Sequence, residues 1–220
     1  MLWDMDIQRQ KRVRALAGRL SALGGSNVTV GDTSRNWYAD KGISTLSIPK
    51  SWQIIELHMD GASASARGGH VIIKSGYKPD AYDAALAHFI GGFTPGRANT
   101  IVGRSNLANV NRAAVRGYSY RLLECGFITN QTDLNKFNNN LDTLARGILG
   151  AFGIGTTAQA GWVADKMDGG IAMQTEVIRK IAGSRLAATG IGLITAAMLF
   201  TIPGKSSMGT GIISSQIAVW

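Results

Sequence analysis

The chain has one cysteine, Cys125, and three histidines, His58, His70 and His88. A single thiol excludes an internal disulfide framework and every cysteine-rich zinc site. With so few imidazoles, a metal site would have to draw on carboxylates as well. Acidic residues are also scarce: 14 Asp and Glu stand against 23 Lys and Arg. That imbalance points to an anionic partner such as nucleic acid, an anionic membrane face or a teichoic-acid-bearing cell wall. Apolar residues, by contrast, make up 45% of 220 residues. This content excludes wholesale disorder, collagen and coiled coil. It suits one sizeable α/β domain, or a domain of about 150 residues with an appendage.

The N-terminus does not read as a signal peptide, because Asp4 and Asp6 precede a basic stretch, Arg9 to Arg14, that leads into an amphipathic segment. Ile7, Val13, Leu16, Ala17, Leu20 and Leu23 recur at helical spacing, and Gly24-Gly25 ends the helix. Strands are expected at Asn27–Val30, Trp52–His58, His70–Lys74 and Tyr120–Cys125, and helices from Pro79-Asp80 to Ile90 and from Asp133 to Phe152. Alternation of this kind predicts an α/β fold with a largely parallel sheet. The first element is a helix, with no strand before it.

Composition changes after Ile154. Residues 1–155 carry 18 basic and 11 acidic residues, and residues 156–220 carry five and three. The tail is rich in Gly, Ala, Ile and Thr and contains an uncharged run of nineteen residues, 186–204. At about 1.5 Å per helical residue such a run just spans a bilayer core. Membrane contact over 186–202 is therefore one expectation for the tail, and a buried helix is the other.

Two residues stand out as chemistry. His58 closes an apolar strand before a Gly/Ala/Ser-rich loop, and ligands in α/β proteins sit at the carboxyl ends of strands. The alternative is a histidine bonded to a backbone carbonyl. Glu124 lies within the apolar run Arg-Leu-Leu-Glu-Cys-Gly-Phe, where a carboxylate is costly unless paired, liganded or functional. Burial would raise its pKa toward that of a useful general base. Pairing with Arg121, Arg104, Arg112 or Arg116 is the other reading. Glu56 shares a strand face with His58 and either orients it or is solvated. His70, His88 and Cys125 read as structural, and no histidine is placed to activate the thiol. The glycine-rich segments match neither a phosphate loop nor a dinucleotide fingerprint. The aromatic-and-basic strand pattern of nucleic-acid binders is absent, so nucleic acid is not an expected partner.

Two motifs, a strand ending Leu-His-Met-Asp and the run Leu-Glu-Cys-Gly-Phe-Ile-Thr-Asn, resemble the zinc-dependent N-acetylmuramoyl-L-alanine amidases of the type 3 class. The closest likeness is to endolysins of phages that infect Gram-positive bacteria, and it covers roughly Arg12 to Ile154. The resemblance implies a three-layer α/β/α domain over residues 1–155 with a mostly parallel central sheet. It also implies a Zn2+ cofactor with His58 as one ligand, and Glu124 as the base. The substrate it implies is peptidoglycan, cut between the lactyl group of N-acetylmuramic acid and L-alanine of the stem peptide. Such an enzyme is made in the host cytoplasm and acts on the wall during cytolysis.

The chain departs from the family pattern at its start. The first strand, with its Gly-His-Gly type turn, is missing, and no glutamate stands near Gln8 to Gln10. Asp4 and Asp6 are the only acids upstream, and neither aligns clearly. Two explanations are open: a chain shortened at its beginning, or a degenerate amidase that binds cell wall without catalysis. Retention of His58 and Glu124 favours the first.

Overall fold

The computed structural model describes residues 2–155 and 217–219, and the described elements belong to one compact unit. The expected membrane contact at 186–202, the uncharged run 186–204 and nearly all of the tail 156–220 lie outside the described residues. No described helix is long and apolar enough to cross a membrane.

The strands are β1 (Val28–Val30), β2 (Gln53–Asp60), β3 (His70–Lys74), β4 (Ile101–Arg104), β5 (Ser119–Phe127) and β6 (Ile217–Val219). The helices are α1 (Leu2–Gly24), α2 (Gly42–Thr45), α3 (Ala81–Phe93), α4 (Ala108–Val115), α5 (Gln131–Asn139) and α6 (Leu141–Ala151). They build one sheet in the order β1-β6-β2-β5-β3-β4. Four of its five pairings are parallel, and only β3–β5 is antiparallel. This is the expected α/β architecture with helices on both faces. No described strand precedes α1, yet the position between β1 and β2 is filled, by β6.

Strand alternation divides the core into two layers. On one face Ile55, Leu57, Val71, Leu123 and Cys125 pack against Leu16, Ala17 and Leu20 of α1, Leu86 and Ile90 of α3, Phe137 of α5, and Leu144 and Ile148 of α6. On the other face Ile54, Ile72, Tyr120 and Leu122 meet Ile43 of α2 and Val110 and Ala113 of α4. Successive side chains of a strand point to opposite faces, so an uninterrupted apolar run is a strand covered on both sides. Ile54 and Ile55 illustrate this. Both are fully buried, on opposite faces, and each side chain contributes about 1.5–3 kcal/mol by leaving water.

Arg121, only 1% exposed, ties this frame together from inside β5. Its Nε donates to Asp83 Oδ1 at 2.6 Å, Nη2 to Asp80 Oδ2 at 3.0 Å, and Nη1 to Gln53 Oε1 at 2.8 Å. Asp80 and Asp83 are themselves the two members of the capping box that starts α3. A strand arginine thus fixes where the helix begins.

The single helix expected over Asp133–Phe152 is two helices in the structure. Asn140, at φ −135° and ψ 36°, leaves helical geometry between α5 and α6. Asn138-Asn139-Asn140 explains the break, since asparagine side chains compete for backbone hydrogen bonds. Here Asn140 Nδ2 donates to the Lys136 carbonyl at 3.0 Å. The apolar spacing survives because Phe137, Leu144, Ile148 and Phe152 all still reach the core. The sequence pattern gave no expectation for β4, α4 or β6.

Candidate functional site

The site forms at the carboxyl ends of β2 and β5. These strands are parallel and in register, with Ile54 opposite Tyr120, Glu56 opposite Leu122, and His58 opposite Glu124. Even-numbered residues of both strands therefore share one sheet face. Past this pair the register shifts, since Asp60 is matched with Phe127, and β5 carries the extra residue. Gly126 makes the bulge with φ +141°, a backbone conformation open to glycine, and a Cβ there would crowd Asp133 at 3.1 Å. Bulges of this kind re-aim side chains next to functional sites.

Glu56 is the organiser. Its Oε1 lies 2.8 Å from His58 Nε2, Asn109 Nδ2 of α4 donates to both its oxygens at 3.1 and 3.2 Å, and Tyr120 Oη donates to Oε2. Burial works to raise the Glu56 pKa, but the bonds from His58, Tyr120 and Asn109 outweigh it and the net direction is down. For His58, burial opposes the charged ring, while the bond to Glu56 and the charges of Glu56 and Glu124 raise its pKa above the ordinary value. A carboxylate hydrogen-bonded to one ring nitrogen fixes both tautomer and ring orientation.

Glu124 is 8% exposed, and its Oε2 has no hydrogen-bond partner among the described residues. Burial, reinforced by the carboxylates of Asp60 and Glu56 against the opposing pull of His58 and Arg9, lifts its pKa to about 7. None of the four arginines weighed as partners pairs with it. Arg121 is held by Asp83 and Asp80, Arg112 donates to Asn109 Oδ1 and the Tyr38 carbonyl, and Arg116 donates to the Leu46 carbonyl. Arg104 has no described salt bridge.

Beside His58 opens a cavity of about 460 Å³. Asp6, Arg9, Gln10 and Val13 of α1 wall one side, the loop Gly31–Tyr38 another, and Glu56 to Met59 form the floor. Glu124, the register partner of His58, is not among the residues that line it. Arg9 reaches over the backbone at Gly61, where any Cβ would collide with its guanidinium. Its Nη1 bonds Asp6 at 3.2 Å, while its Nε is buried without a partner among the described residues.

The remaining sequence candidates take no part in the Glu56 network. His70 sits opposite Glu124 in β3 and is buried, and desolvation, aided by the charge of Arg97, lowers its pKa to about 4. Such an imidazole is a neutral core group. Cys125 points into the other layer, fully buried, and burial together with the Glu124 charge pushes its thiol pKa far up, so it is no nucleophile. His88 is exposed on α3. Arg9, Asn109 and Tyr120 were not anticipated. Tyr120 carried a signal, since it lies on the same face of β5 as Glu124.

The donor set is too small for the zinc that the family resemblance implies. Among the described residues no three His, Cys, Asp or Glu side chains converge to hold a metal ion. His58 Nε2 is already engaged by Glu56, and a cationic Arg9 lies close enough to bear on both His58 and Glu124. A catalytic zinc site needs about three protein ligands. The described residues do not meet that requirement by themselves.

No family model matches the chain. Over 98 residues it is 39% identical to the probable autolysin PH of Staphylococcus aureus (strain NCTC 8325 / PS 47). That match takes in 44% of this chain and 20% of the relative, so the chain spans about a fifth of the length of the curated protein it matches. Among solved structures, the N-acetylmuramoyl-L-alanine amidase from Clostridium difficile 630 superposes with a TM-score of 0.51 at 20% identity, over 62% of this chain and 77% of that one. The catalytic domain of the CD27L endolysin targeting Clostridia difficile aligns over 63% of this chain and 79% of its own, with 19% identity and a TM-score of 0.47. The mixed sheet with helices on both sides is the α/β fold of amidase catalytic domains.

Proposed function

We propose that the chain is the body of a peptidoglycan amidase, hydrolysing the amide between the lactyl group of N-acetylmuramic acid and L-alanine of the stem peptide. The observation that carries this reading is the in-register pair His58 and Glu124 at the carboxyl edge of an amidase-like sheet. The 39% identity with an autolysin supports cell-wall material as substrate, and the net charge of +9 suits an anionic wall. Phage-type host lysis, with synthesis in the host cytoplasm, is the setting the sequence motifs favour.

In this reading Glu124 handles the proton. With a pKa of about 7 it is poised between its forms at neutral pH, so it can accept a proton from an attacking water and return it to the leaving amine. His58, held by Glu56, lies at the cavity floor where the scissile carbonyl would be received. The Glu56–Asn109–Tyr120 network keeps that imidazole in one orientation. Zinc in such a fold would polarise the carbonyl, but the described donors do not hold it.

The short donor set favours a second reading, a wall-binding protein on the same fold that does not cut. One experiment separates the two. The full chain and Glu124→Gln are incubated with purified cell walls and assayed for new L-alanine amino termini. Release by the parent and none by the variant is the expected result. Equal release by both would overturn the base assignment, and co-pelleting with walls without release by either would establish the binding reading.

A further inference from the structure

The buried side-chain polar atoms that lack a hydrogen-bond partner among the described residues are Arg9 Nε, His70 Nδ1 and Glu124 Oε2. The last two belong to one cross-strand pair. Strand β3 runs antiparallel to β5, and its first residue, His70, stands opposite Glu124. Two residues along, Ile72 stands opposite Leu122, and both pack in the layer with Val110 and Ala113 of α4. Side chains two apart on a strand share a face, so His70 and Glu124 lie on that same face. Opposed residues of an antiparallel pair have their Cβ atoms about 5 Å apart. His58 is the partner of Glu124 on the other side, in β2. An imidazole, a carboxyl and a second imidazole therefore lie abreast on three adjacent strands.

His70 is 1% exposed and Glu124 8%. An unpartnered polar atom in such a place is costly, and a leucine in place of His70 would fill the space without that cost. Asp60 acts electrostatically on both residues, which sets the two side chains in one neighbourhood. A single water has two donors and two lone pairs, so it can bond a ring nitrogen and a carboxyl oxygen at once, in either protonation state of the carboxyl. We propose that one buried water joins His70 Nδ1 to Glu124 Oε2, and that His70 is a positioning residue for the Glu124 carboxyl.

The bridge gives His70 a task that involves no contact with substrate. It holds one carboxyl oxygen toward β3 and leaves the other for the β2 side, where His58 stands. The ring is itself held by the backbone at Gly68, whose amide is bound by Asp133. A carboxyl pinned at one oxygen keeps its plane, and a small misplacement of a reacting group costs up to about a hundredfold in rate. The positioning role rests on the reading of Glu124 as the base. The bridge rests on the pairing of β3 with β5 and on the two unpartnered atoms alone.

The test has two arms. In a high-resolution crystal structure of the full chain, density is expected for one ordered water about 3 Å from both His70 Nδ1 and Glu124 Oε2. A dry contact between the two, or a bond from either atom to another protein group, would overturn the bridge. This arm does not depend on any variant folding. The second arm compares His70→Asn and His70→Leu with the parent in the wall-release assay. Asparagine carries its amide as many bonds from Cβ as Nδ1 stands, so it keeps a partner for the water, whereas leucine keeps only bulk. His70→Leu should lower kcat about tenfold or more with KM within about twofold of the parent, and His70→Asn should hold kcat within about threefold. Parental turnover in His70→Leu, or equal losses in both variants, would overturn the positioning role. A parent that releases no L-alanine amino termini would count against the amidase reading, while the water density would still decide the bridge.

Discussion

Glu56 Oε1 and His58 Nε2 lie 2.8 Å apart on one face of β2, and Glu56 is held from above by Asn109 and from the neighbouring strand by Tyr120. The pair couples a half-exposed imidazole to a buried carboxylate whose position is set by two other elements. Replacing Glu56 by Gln removes the charge and keeps the shape. The His58 pKa should then fall, because the charge and the charge-assisted hydrogen bond of Glu56 that raise it are withdrawn. Titration of the imidazole carbon-bound protons by NMR checks this, and an unmoved midpoint would mean that the pair is not electrostatically linked.

Glu124 should make stability depend on pH in a specific sense. Its folded pKa is raised to about 7, so below the ordinary carboxylate pKa of 4.5 the group is neutral in both states and costs nothing. Between 4.5 and 7 the unfolded chain gives up the proton that the folded chain retains, and stability falls as pH rises. Glu124→Gln should therefore leave the melting temperature at pH 4 nearly unchanged and raise it at pH 8. A variant less stable than the parent at pH 8 would contradict an unpaired buried carboxylate.

His70 works in the opposite direction. It is 1% exposed, with a folded pKa lowered to about 4. As pH drops below the ordinary value of 6.5 the unfolded chain takes up a proton that the folded chain refuses, so stability is lost on the way down to 4. The loss amounts to about 3 kcal/mol at most. His70→Gln, followed by urea denaturation between pH 7 and pH 4, should show a flatter decline than the parent.

Arg121 predicts the largest single-residue effect on folding. Asp83→Asn leaves a buried guanidinium short of its closest carboxylate and weakens the capping box of α3. Breaking a buried pair on one side costs about 3–5 kcal/mol. Denaturant midpoints would register this, and the loss should appear without any change in the Glu56–His58 coupling if the two networks are independent.

The sequence spacing made α1, α3, β2, β3 and β5 legible because each carries its own apolar period and its own stop. Gly24-Gly25 and Asp80 announce themselves locally, and so does a carboxylate stranded in Leu-Leu-Glu-Cys-Gly-Phe. His58 and Glu124 could be picked out singly for that reason, and the structure sets them side by side. What the sequence did not reveal depends on partners distant along the chain. Asn109 and Tyr120 converge on Glu56 only after α4 and β5 have packed, and Arg9 faces the site only because α1 folds back over β2. Asn140 interrupts a periodicity without disturbing it, so the apolar pattern alone reads as one helix. The three-residue β6 has no period to recognise, and its place is set by pairing with β1 and β2.

Asp133, in the first turn of α5, has a part beyond that helix. Its Oδ2 accepts the Phe127 amide at 3.0 Å and the Gly68 amide at 2.7 Å, joining the bulged end of β5 to the glycine-rich loop before β3. Those two segments flank Glu124 from opposite directions along the chain. With one buried oxygen serving both, neither loop can shift without loosening the other, so a substrate that orders the first would arrive at a second already in step.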